Sequence, residues 1–107
     1  PDEERVEEMV REMLLDHTHE EVPYIAGVTC QAIRALSPTK SRVDVDILVD
    51  NGRQQRIVVG DKGRTLVKIR QTAAEALEDI FQKTVILYLW VKVRSKHEEE
   101  NDEERLL

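Results

Sequence analysis

The sequence predicts an α+β domain whose elements run helix, strand, strand, helix, helix, strand. Three observations carry that order: apolar residues at helical spacing in the N-terminal segment, period-two alternation in the middle and near the C-terminus, and a Gly-Asp-Lys-Gly turn between apolar stretches at residues 57–69. A chain of 107 residues that is 40% hydrophobic can fill one modest core and not two. The domain is therefore read as residues 1–96, followed by an acidic tail at 97–107 too poor in apolar residues to pack.

A first helix over residues 2–17 follows from Val6, Met9, Val10, Met13 and Leu14, with Glu and Asp on the opposite face. Pro23 forbids its continuation and biases Val22 to an extended backbone. Val28, Thr29 and Ile33 mark a strand over about 24–36, closed by the turn Ser37-Pro38-Thr39-Lys40. Val43, Val45, Ile47 and Val49 alternate with Asp44, Asp46 and Leu48, a half-buried strand over 42–50 that Asn51-Gly52 ends. A short helix over about 53–60 runs into the glycine turn. A longer one over about 63–82 follows it, with Leu66, Ile69, Ala73, Ala76, Leu77 and Ile80 on one face. In the last strand, 84–94, Val85, Leu87, Leu89, Val91 and Val93 point one way, and Ile86, Tyr88, Trp90, Lys92 and Arg94 the other.

Net charge is −6, which taken whole argues against an anionic partner, but the charge is unevenly placed. Residues 1–22 hold nine acids against Arg5 and Arg11, and residues 98–107 hold six against Arg105. Residues 51–70 hold Arg53, Arg56, Lys62, Arg64, Lys68 and Arg70 against Asp61 alone, a local net charge of +5. The basic patch surrounds the glycine turn, as expected of a nucleic-acid contact surface.

Other chemistry finds little support. Cys30 is the only cysteine, so no intrachain disulfide can form, and its alternation with Ala26, Val28 and Ala32 reads as a small buried apolar position. His17 and His19, with or without His97, lack the second ligand pair a zinc site needs, so surface or helix-end roles are expected. The carboxylates lie in acidic runs on exposed faces and form no pair whose pKa values have reason to separate. No cofactor, metal or catalytic residue is expected. No apolar run reaches the roughly 20 residues of a membrane span, and Asp2-Glu3-Glu4 does not open a signal peptide. The chain reads as intracellular, and its start at Pro1 rather than Met as that of a fragment or processed product.

The turn itself admits two readings. Gly60 and Gly63 allow positive φ and leave room for a close phosphate, as in a clamp for single-stranded nucleic acid, with the following helix offering free N–H groups. Alternatively it is a plain helix-to-helix turn, with one glycine as a C-terminal cap and Asp61 satisfying backbone donors. Trp90 could stack on a base, but in a period-two strand its expected place is on a sheet face or against a helix.

Three blocks in order carry a family resemblance: Glu20-Glu21-Val22-Pro23, Ile57-Val58-Val59-Gly60-Asp61-Lys62-Gly63, and Leu87-Tyr88-Leu89-Trp90-Val91-Lys92-Val93. Over about residues 6–94 the chain resembles a type II KH domain, in which helices back a three-stranded mixed sheet, and in particular the C-terminal KH domain of the Era family of GTPases, which are ribosome-assembly factors. The resemblance implies binding of single-stranded RNA near the 3′ end of small-subunit ribosomal RNA, contact with the small ribosomal subunit, and a GTPase domain elsewhere in the full-length protein. It places the chain in the bacterial cytoplasm or a mitochondrial or plastid interior. Nothing here resembles the phosphate loop of that GTPase domain, so the chain is expected to have no enzymatic activity of its own. The implied RNA contacts are Gly60 and Gly63 for close phosphate approach and Lys62 for its neutralisation. Ile57, Val58, Val59 and Ile69 divide between core and groove floor, and Arg53, Arg56, Arg64 and Lys68 hold the backbone. Era domains commonly have a second basic residue where Asp61 stands, and this clamp is weaker or differently selective on that account. The alternatives are a KH-fold scaffold that contacts proteins instead of RNA, and the KH domain of another ribosomal or transcription protein.

Overall fold

A computed structural model describes residues 1–19 and 25–94. The Glu20 to Pro23 block and the acidic tail at 97–107 lie outside the described residues. The elements are α1 (Asp2–His17), β1 (Gly27–Ser37), β2 (Lys40–Val49), α2 (Gly52–Val59), a single 3₁₀ turn (Asp61–Gly63), α3 (Arg64–Phe81) and β3 (Thr84–Val93). They form one sheet of order β1-β2-β3, with β1 antiparallel and β3 parallel to β2. This is the expected α+β architecture with a mixed three-stranded sheet. The parallel pairing requires a crossover, which α2, the glycine turn and α3 supply.

The period-two pattern of β2 decides which face is buried. Val43, Val45, Ile47 and Val49 are fully buried and pair across to Leu87, Leu89, Val91 and Val93 of β3. Helices α1 and α3 cover this face with Val6, Val10 and Leu14 and with Ile69, Ala73 and Leu77, all at 0% exposure and all at steps of four. Burial of each such Val, Ile or Leu is worth about 1.5–3 kcal/mol, so this layer dominates stability. Acids in the first turn of α1, Asp2, Glu3 and Glu4, suit its dipole, and Thr18 closes its other end by donating Oγ1–H to the Leu14 carbonyl at 2.9 Å.

The structure differs from the sequence expectation at three places. The register of β1 on β2 shifts between Cys30 and Ala32, leaving Gln31 as an extra residue. Cys30 therefore faces Val45 on the inner side while Ala32 faces Asp44 on the outer side, so a bulge breaks the assumed alternation. Cys30 is half-buried, its N–H bonds Glu7 Oε2 of α1 at 2.8 Å, and burial with Glu3 and Glu7 nearby pushes its thiol pKa up. Second, Asn51 does more than end β2: its side chain accepts the Gln54 N–H at 2.9 Å and caps α2, which begins at Gly52. Third, Ile80 is 40% exposed, because the buried stripe of α3 runs in steps of four through Leu77 and Ile80 falls beside it in the last turn.

The outer face of the sheet is polar and aromatic. Arg42 pairs with Asp44 at 3.0 Å and lies 4.2 Å over the Tyr88 ring, and Lys92 pairs with Asp46 at 2.8 Å. The Arg42 bond holds the Asp44 carboxyl below the usual carboxylate range. Trp90 is on this face, 50% exposed, with its indole N–H 3.4 Å from Asp44 Oδ1.

Candidate nucleic-acid interface

Between α2 and α3 the backbone reverses by passing three times through positive φ. Gly60 has φ 78° and ψ 174°, Lys62 φ 54° and ψ 26°, and Gly63 φ 76° and ψ 10°. The N–H of Gly60 bonds the Arg56 carbonyl at 2.8 Å, ending α2, and the N–H of Gly63 bonds the Gly60 carbonyl at 3.1 Å, closing the turn. Among the described residues no side chain caps α3, and its first turn carries no acid. Its leading N–H groups and positive dipole end thus sit at the turn without an anionic side chain of their own.

The two glycines do different work. At Gly60 the φ/ψ pair lies in a region open essentially to glycine alone, and a Cβ there would stand 2.6 Å from Thr65 Cβ and 2.8 Å from Thr65 N. That space belongs to α3. Around Gly63 an added Cβ would meet no described residue within 4 Å, so this residue leaves open space above the turn. Lys62 occupies the left-handed region without being glycine, which costs about 1–2 kcal/mol and holds its side chain at the apex.

The expected contact residues separate onto two sides of the turn. On the α2 side a concavity of about 480 Å³ is lined by Gln55, Arg56, Val59, Gly60, Asp61 and Lys62. Gln55 also ties α2 to β3, donating its side-chain N–H to the Val91 carbonyl at 3.3 Å. On the α3 side a second concavity of about 250 Å³ is lined by Ile57, Arg64, Thr65 and Lys68 together with His17, Thr18 and His19 from the end of α1. Arg53 is exposed on the first turn of α2 and lines neither. Of the apolar group, Ile57 and Val59 are half-buried at the two concavities, whereas Val58 is fully buried. Its side chain packs in the core and is closed to a ligand, as is Ile69. Consecutive helix positions 100° apart cannot share a face, and α2 docks with Val58 inward.

Among the described residues, Arg53, Arg56, Lys62, Arg64 and Lys68 enter no ion pair, and the two pairs that do form lie on the outer sheet face. The turn therefore gathers cations without neutralising them, an arrangement suited to a polyanion. Gln55, Thr65, His17, Thr18 and His19 were not among the expected contact residues. Gln55 was legible in principle, one helical turn before Val59. The α1 residues were not, since only the packing of α1 on α3 brings positions 17–19 to positions 57–68.

Comparison with known proteins agrees with this geometry. The KH domain family model matches residues 19–98. GTPase Era of Brucella suis is 37% identical over 98 residues, 92% of this chain and 31% of that protein. GTPase Era of Caulobacter vibrioides is 39% identical over 93 residues, 87% of this chain and 29% of that protein. The chain thus spans about a third of the length of these relatives. Two solved structures superpose with a TM-score of 0.81 at 34% identity over 99% of this chain and 36% of theirs: a variant of Aquifex aeolicus Era bound to GDP and aluminium fluoride, and Era in complex with MgGDPNP and nucleotides 1506–1542 of 16S ribosomal RNA. The chain belongs to the KH domain family, in the form found in the Era GTPases.

Proposed function

We propose that this chain is an RNA-binding module that holds single-stranded ribosomal RNA near the 3′ end of the small-subunit rRNA during ribosome assembly, within an Era-like GTPase. The observation that carries the reading is the glycine turn with five cations around it that have no ion-pair partner among the described residues, and open space at Gly63. The RNA-bound Era structure, similar over nearly the whole chain, supports it. On this reading residues 1–96 are the KH module, and nucleotide hydrolysis belongs to a part of the full-length protein that this chain does not contain. Lys62 and Arg56 neutralise phosphates along the α2 side, Gly63 admits the backbone, and Val59 with Ile57 offers apolar contact to bases. Asp61, exposed beside Lys62, sets the affinity below that of a doubly basic turn. The protein acts inside the cell, where ribosomes assemble.

The test is binding of the chain to short RNA oligonucleotides from the small-subunit 3′ end, compared with scrambled ones, across a salt series. With about four phosphates neutralised, log affinity falls against log salt with a slope near −3. The double variant Asp61→Glu and Lys62→Glu abolishes binding while circular dichroism and thermal melting remain those of a folded domain. Unchanged affinity in that variant, or no binding to unpaired RNA at low salt, overturns the reading in favour of a protein-contacting scaffold.

A further inference from the structure

The concavity between the end of α1 and the first turns of α3 lies on the far side of the turn from Arg56, Val59 and Lys62. Its lining comes from the end of α1, from Ile57 of α2 and from the first turns of α3. Lys68 follows Arg64 by one helical turn on α3, a like-charge spacing that is unfavourable without an anion between them. Neither cation is paired with a described residue. Across from them stands His17. His17 Nε2 lies 3.1 Å from Thr72 Oγ1, a hydroxyl that also reaches the Lys68 carbonyl at 2.8 Å and the Ile69 carbonyl at 3.2 Å. Its Nδ1 has no hydrogen-bond partner among the described residues. At about 250 Å³ the space is below the roughly 300–1,000 Å³ of a small-molecule pocket and suits part of a nucleotide.

We propose that this concavity is a ribose-phosphate subsite for the RNA strand, in which Arg64 and Lys68 take one phosphate and His17 Nδ1 hydrogen-bonds a ribose 2′-hydroxyl. The inference rests on the RNA-binding reading and extends it: the strand continues past Gly63 onto α3 and α1, and the chain prefers RNA to DNA at this nucleotide. The 2′-hydroxyl is the only group that distinguishes the two sugars, and since it both donates and accepts, an imidazole nitrogen with no described partner in a concavity shared with two cations is complementary to it.

The experiment is a coupling scan on the chain with an RNA oligonucleotide that it binds. Each linkage in turn is made a neutral methylphosphonate and each ribose in turn 2′-deoxy, against wild type, Lys68→Gln and His17→Ala. One linkage is expected whose neutralisation weakens wild type three- to tenfold and Lys68→Gln not at all. A neighbouring ribose is expected whose 2′-deoxy form weakens wild type and not His17→Ala. A merely structural His17 lowers affinity for every oligonucleotide alike and shows no such pairing. The subsite is overturned if wild type binds RNA, charge reversal at Lys62 abolishes that binding, and yet no position couples to Lys68 or His17. Failure of wild type to bind any RNA overturns the underlying reading instead.

Discussion

Under the sheet, Val43, Val45, Ile47 and Val49 are packed at 0% exposure against the buried stripe of α3, in regular backbone throughout. At the start of the same helix, three of four consecutive residues have positive φ, and the cations on either side have no described partners. The two regions share α3 and differ in what their sequences optimise. The core satisfies every apolar position and leaves nothing for a ligand, while the turn spends backbone strain and unneutralised charge that only a bound anion would offset. Stability is therefore expected to follow the first region and binding the second, and substitutions can separate them.

The largest expected effect comes from breaking the core. Leu77→Ala removes a fully buried side chain and costs about 2–5 kcal/mol, read as a lower midpoint in urea unfolding. RNA affinity measured below that midpoint stays near wild type. A parallel loss of affinity would show that the two regions are coupled through α3. Gly60→Ala is intermediate, because it forces a Cβ into the space of Thr65 at a φ/ψ pair that other residues avoid. It costs about 1–3 kcal/mol and lowers affinity as well, since the α2-to-α3 reversal must shift. Lys62→Gly is the smallest and the most discriminating. It relieves the left-handed lysine, so stability holds or rises by up to about 1 kcal/mol, while RNA affinity falls and the salt slope loses about 0.7. Opposite signs in melting and in binding titrations sharpen the contrast, and a joint loss breaks it.

How much was readable in the sequence follows the same division. The order of elements was legible because β2 alternates cleanly and α1 and α3 carry apolar residues at steps of three and four, signals that depend only on near neighbours. The turn was legible because glycine at two fixed positions and a concentration of Arg and Lys are compositional facts. The side to which each residue faces was less so. Ala32 changed faces because a bulge at Gln31 is set by how β1 meets β2, and an alternation rule has no term for it. Val58 went to the core and Ile57 and Val59 to the two concavities because the docking of α2 chose among three adjacent apolar residues of equal claim.

By itself, then, the sequence determined that this is one α+β unit with a basic glycine turn in an otherwise acidic chain, since hydrophobic period, turn chemistry and local charge are properties of contiguous residues. Tertiary structure alone decided that Gly60 serves Thr65 while Gly63 faces open space, and that the proposed contact residues fall on two sides of the turn. It also decided that His17, more than forty residues earlier in the chain, completes one of those sides. These depend on the packing of α1 and α2 against α3, where contacts between distant residues are settled by the burial of their common apolar faces.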